Sequence, residues 1–202
     1  MSFNRKVNLV IESFKELDSK INNFKNETGL KCKLACGECC LYPRIHATIL
    51  EFIPYAHKMI VQGKAFELLE ELKKKELGSS TCIIYRASRQ ISSHGHCSEY
   101  ENRGLICRLF GFSANLQKNG IPGMITCSII KSNHPDFLKN PETILAYSEN
   151  LPIASEYYFK LQSIDLSLSL RTFPINIAIR KALEYALSCY SYRKFPKQRI
   201  KS

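Results

Sequence analysis

No run free of Asp, Glu, Lys and Arg is longer than Asn119 to Ile130. That is well short of the ~20 apolar residues a membrane helix needs, and a helical span is excluded. The opening MSFNRKVNLVIESFKELDSK also lacks the unbroken apolar core of a secretory signal, because charges interrupt every short apolar step. A cytoplasmic chain is therefore expected. A Gly-rich phosphate loop, a Ser-His-Asp arrangement and a specific paired-carboxylate site are missing as well, so the residues name no organic reaction and leave open whether the protein is an enzyme. No internal repeat, linker or low-complexity tract breaks the sequence. What remains is 202 residues, 45% hydrophobic and 23% charged, an ordinary composition for one folded domain over residues 1–202.

Cysteine is what the chain has in excess, with nine. A reducing compartment argues against disulfides and the odd total weakens a fully paired scheme, which leaves metal ligation or catalysis as their role. The formal charge of +11 counts cysteine as neutral. Eight thiolates would bring it to +3 and two divalent ions would return it to +7, so part of the basic excess compensates negative sulfur. Nucleic acid is only weakly supported as a partner, since basic and aromatic residues interleave only at Tyr192, Arg193, Lys194 and Phe195.

Apolar residues at Phe3, Val7, Val10, Phe14, Leu17, Ile21 and Phe24 step by four and three, which predicts one amphipathic helix over residues 3–27, ended by Gly29. Its stripe suits an intramolecular core better than a coiled-coil seam. Thr48 and Glu51 form a capping-box pattern for a second helix that Pro54 should kink or shorten near Ile53. A third is expected from Ala65 to Leu77, before Gly78. Residues 79–107 show no sustained period and read as a loop organised by something other than a hydrophobic face. Asn119 and Gly120 mark one hairpin, between an apolar stretch from Arg108 to Leu116 and a strand from Ile121 to Ile130. Helices follow over 141–149 and 152–165, and a last one starts at Pro174 with Ile175, Ile179, Leu183, Ala186 and Tyr190 on one face. The fold class is thus mainly α with a small β-hairpin. An irregular cysteine-rich core at 30–130 is flanked by an N-terminal amphipathic helix within 1–29 and C-terminal helices within 140–190.

Cys32, Cys36, Cys39 and Cys40 form C-x3-C-x2-C-C, a density that signals metal. Gly37 permits the tight turn between Cys36 and Cys39. Adjacent side chains diverge, so Cys39 and Cys40 should serve different metals or different corners of one cluster. Cys82, Cys97, Cys107 and Cys127 bring the thiolates to eight, enough for two metal sites or one cluster plus one ion, with zinc or iron as the metal. At least one centre should mix ligands from the two sets. Metal is expected to be needed for folding of 30–130, which has too little amphipathic pattern to bury a core.

The opening motif resembles that of the YkgJ-like cysteine-cluster family, described as a zinc- or iron-chelating domain with eight cysteines. The family's Cys-x2-Tyr-x2-Arg-Pro-x2-Cys-Arg-x-Phe block is similar to Cys97, Tyr100, Arg103, Cys107, Arg108 and Phe110 here, with Glu99 at an ordinarily apolar place and Gly104 in place of Pro. The resemblance covers roughly residues 30–130, places Cys82 and Cys127 as the remaining cysteines, and implies metal chelation. C-x3-C-x2-C is also the three-thiolate spacing of radical enzymes that bind S-adenosylmethionine, but there the triad follows a first strand and here it follows a long helix. An iron-sulfur redox enzyme and a basic nucleic-acid module held by zinc are the alternative readings. Cys189 reads as a small buried hydrophobe, His94 and His96 as solvated loop histidines with ligation beside Cys97 as the alternative, and Arg103 and Arg108 either as donors to thiolates or as surface charges.

Overall fold

A computed structural model describes residues 1–32, 36–42, 44–74, 81–87 and 95–191. The predicted stripe forms α1 (Phe3–Thr28), and every one of its seven apolar residues is buried. Gly29 ends it in the left-handed region at φ 71°, its N–H bonded to the carbonyl of Lys25. The next elements are α2 (Glu38–Leu41), β1 (His46–Thr48), α3 (Ile53–Val61) and α4 (Ala65–Lys74). Glu51 does accept the Thr48 N–H, as a capping box requires, but residues Leu50–Phe52 make a 3-10 turn. Pro54 therefore stands in the first turn of α3, where its missing N–H costs nothing, and no kinked helix forms. The expected end of the third helix near Leu77 and Gly78 lies outside the described residues.

Two short strands then pair antiparallel, β2 (Tyr85–Ala87) with β3 (Gly95–Cys97), where only a loop was expected. After α5 (Leu105–Leu109) comes the predicted hairpin of β4 (Ser113–Leu116) and β5 (Pro122–Ile125), turned at Gly120 with φ 77°. Arg108 and Leu109 at one end and residues 128–130 at the other are helical rather than strand, which makes the hairpin shorter than its flanks suggest. The chain continues through α6 (Ser128–Asn133), α7 (Pro135–Lys139), α8 (Pro141–Ala146), α9 (Ala154–Ile164), α10 (Leu166–Ser169), β6 (Thr172–Pro174) and α11 (Ile175–Tyr190). Asn140 caps α8 by accepting the Glu142 N–H at 3.0 Å.

The core is built by α1 packing on α3 and α9, and by α11 packing on α3 and α4. Strand β6 returns antiparallel to β1, pairing Ala47 with Phe173 directly before α11. Ala178, Ile179, Ala182, Leu183 and Ala186 line the buried face of α11, and each large aliphatic residue there contributes about 1.5–3 kcal/mol by leaving water. The stripe of α1 is thus consumed by the chain's own core. Residues 30–130 are not short of core either: Leu30, Leu50, Ile53, Leu105 and Leu109 are fully buried. The segment thus buries a core despite the weak amphipathic pattern from which none was expected. Its buried residues come singly from short separate elements, so no periodicity announces them.

Candidate metal centre

Gly37 sits in the left-handed region at φ 62° as the N-cap of α2, and the Cys40 N–H bonds to its carbonyl at 2.8 Å. A Cβ at Gly37 would fall 2.6 Å from the Gly95 carbonyl oxygen and 2.7 Å from the Tyr85 ring. The cysteine turn therefore seats directly on β3. The Cys82 N–H donates to the Cys40 carbonyl at 3.1 Å, tying the N-terminal cysteine run to the downstream set. Gly37→Ala must bear both a left-handed side chain, about 1–2 kcal/mol, and this collision. We expect it to lower the thermal midpoint by at least about 4 °C in a chain of this size, read by circular dichroism; an unchanged midpoint would show that the seat is not tight.

Seven of the eight predicted ligands surround two adjoining cavities. One, of about 90 Å³, is lined by Cys39, Cys40, Cys82, Cys97 and Cys107 with Tyr42, Ile45, Phe52 and Ile84 among its apolar walls. The other, about 730 Å³ and more open, is lined by Cys32, Cys36, Cys39, Cys40 and Cys97 together with Lys25, Lys31 and His96. Cys127 lines neither, but it is an electrostatic neighbour of Cys32 and its Sγ accepts the Ile130 N–H at 3.4 Å as the N-cap of α6. Cys189 is half-buried on α11 and lines neither cavity.

Cys40 shares hydrogen bonds with Cys39 and Cys97. Those bonds bring the Cys39 and Cys97 thiols down to about 7, helped by the Arg103 charge, and push Cys40 well up. Burial pushes up Cys107, with Cys82, Glu51, Cys39 and Cys97 adding to the effect, and it pushes up Cys32, with Cys36, Cys39 and Cys127 adding. Among the described residues no three His, Cys, Asp or Glu side chains stand together in ligating geometry. The sulfurs are gathered but not closed on a common centre. Soft donors crowded around apolar cavities match the chemistry of zinc or iron rather than of magnesium or calcium.

The two arginines separate in role. Arg108 is buried, bonds to Asp18 and to the Glu101 and Arg103 carbonyls, and lies 4.5 Å from the centroid of the Phe14 ring. It joins α5 to α1. Arg103 lines the smaller cavity, donates to the Tyr100 carbonyl at 2.8 Å and to Asp18 at 3.3 Å, and stacks 3.8 Å from the Tyr100 ring centre, leaving its charge beside Cys39 and Cys97. Asp18, which holds both, carries no signal in the sequence, since it is an ordinary polar residue beside the apolar stripe. Glu99, polar where an apolar residue is expected, pairs with Lys58 at 2.6 Å and accepts from Asn102. His96 is exposed on β3; His94 and the basic stretch from Tyr192 lie outside the described residues.

A family profile described as "Putative zinc- or iron-chelating domain" matches residues 31–143, more than half of the sequence. The chain belongs to the CxxCxxCC family. The CxxCxxCC match starts just before Cys32 and runs past Cys127 into α8, so α6 and α7 belong to it and the resemblance extends beyond residue 130. Zinc or iron chelation is the function that the CxxCxxCC description carries, with metal ions as partners. No curated protein and no solved structure gives a significant match. No described helix is long and apolar enough to cross a membrane.

Proposed function

We propose that this protein holds zinc or iron through eight cysteine thiolates in two adjoining groups, Cys32, Cys36, Cys39 and Cys127 in one and Cys40, Cys82, Cys97 and Cys107 in the other. The observation that carries this reading is the gathering of seven cysteines around two adjoining cavities, with Cys39, Cys40 and Cys97 lining both. The neighbours of each sulfur follow the division except at Cys39, which stands between the groups: Cys32 has Cys36, Cys39 and Cys127 around it, and Cys107 has Cys82, Cys39 and Cys97. Cys39 and Cys40, consecutive on α2, then fall into different groups with their thiols in contact between them. Each group draws on both the N-terminal run and the downstream cysteines. A bound metal would supply a cross-link between segments distant in sequence. The chain's own residues do the rest: apolar walls exclude water, Arg103 offsets thiolate charge, and Gly37 and Gly95 bring α2 and β3 into contact.

Anaerobic purification followed by elemental analysis tests this directly, with zinc or iron present in amounts that match two groups per chain as the expected outcome. Absence of both metals from freshly purified protein would refute it. Cys189→Ser is expected to leave metal content unchanged, because Cys189 adjoins neither group. A loss in that variant equal to the loss in Cys36→Ser would overturn the ligand set.

A further inference from the structure

Helix α5 begins without a cap of its own, for its N-cap is Gly104, which has no side chain to accept the amides of the first turn. The missing acceptor arrives from far away in the chain. Glu51 is fully buried at 0% exposure; its Oε1 accepts the Thr48 N–H at 2.8 Å and its Oε2 accepts the Ile106 N–H at 2.9 Å. Gly104 is what makes room for it. A Cβ there would stand 3.0 Å from that same Oε2 and 2.9 Å from the Phe52 ring. The backbone of Gly104, at φ −63° and ψ 169°, is one that other residues adopt readily, so the space and not the conformation calls for glycine. Ile106 directly precedes Cys107, which faces the smaller cavity together with Cys82 and Cys97.

We infer that Glu51 is a positioning residue for Cys107, a cap lent to α5 from another part of the chain, with Gly104 as its steric complement. The carboxylate fixes the Leu105–Ile106 peptide, one residue before Cys107, and so aims that one sulfur into the cavity. The inference rests on the proposed function in treating Cys107 as a ligand, while its geometry is independent of which metal is bound. Residues that orient a ligand from behind typically alter metal retention by 10–100-fold when changed.

The test uses full-length protein purified anaerobically with its metal, beside Glu51→Gln, Glu51→Ala and Gly104→Ala. Each is pulsed with N-ethylmaleimide, alkylation at every cysteine is read by peptide mass spectrometry, and metal per chain is measured in parallel. The rate at Cys107 relative to Cys36 should rise roughly tenfold in Glu51→Ala. It should rise less in Glu51→Gln, which keeps one acceptor oxygen, and also rise in Gly104→Ala, where Glu51 is intact but displaced. General loosening would speed all nine cysteines together; an unchanged ratio in the Glu51 variants, or in Gly104→Ala, overturns the inference. Should Glu51→Ala fail to fold, the other two variants decide by the same ratio. Wild-type protein without metal would defeat the proposed function, and the ratio would still decide the role of Glu51.

Discussion

Cys40→Ser is expected to remove more metal than any other single cysteine substitution, emptying both groups where Cys32→Ser empties one. The Cys40 sulfur belongs to one proposed group and adjoins Cys39 in the other, so its loss acts on both. Taking away this thiol opens a coordination position and removes the neighbour that favours the Cys97 thiolate. It also leaves Cys39 without the partner that keeps its thiol near 7. Serine offers an oxygen that zinc or iron in an all-thiolate setting binds poorly. Elemental analysis of the purified variant reads the outcome. Wild-type metal content in Cys40→Ser would remove the hub on which the two-group reading stands.

Stripping the metal with a strong chelator is expected to open the cysteine hub while the helical core stays assembled. A structural metal typically contributes on the order of 10 kcal/mol, and here that contribution is concentrated on α2, β2, β3 and α5. These are short elements, and several depend on one another: α2 rests on β3 through Gly37 and Gly95, and the Cys82 backbone hangs from Cys40. The faces of α1, α3, α9 and α11, by contrast, bury residues such as Leu17, Phe24, Ile53, Leu161 and Leu183 without any help from sulfur. Amide hydrogen exchange should therefore lose protection over residues 36–42, 81–87 and 95–109 and keep it in α1 and α11. Loss of protection everywhere at once would mean that the core does not stand alone, and full retention in the hub would mean that metal is not what orders it.

The long elements were written plainly in the sequence. Seven apolar positions from Phe3 to Phe24 and a glycine at residue 29 specify α1, and Ile175 to Tyr190 specify α11 by the same spacing, because a helix of several turns repeats its signal. Asn119 and Gly120 marked the hairpin for an equally local reason. Strands of three residues give alternation no room to show, so the pairing of His46–Thr48 with Thr172–Pro174 and of Tyr85–Ala87 with Gly95–Cys97 was invisible. At the candidate site the cysteines themselves were legible from density and spacing. Their supports were not: Asp18 reaches Arg103 and Arg108 from α1, and Glu51 reaches Ile106 across 55 residues. Each is one polar side chain acting over a long sequence separation, which no local pattern records.

The central claim is that this chain's cysteines form an all-sulfur environment for zinc or iron. X-ray absorption at the metal edge of the anaerobically purified protein tests it most directly, since the first shell distinguishes sulfur from nitrogen and oxygen. The account predicts a shell of about four sulfurs at ~2.3 Å, unchanged in Cys189→Ser. A first shell dominated by nitrogen or oxygen at ~2.0–2.2 Å would contradict it.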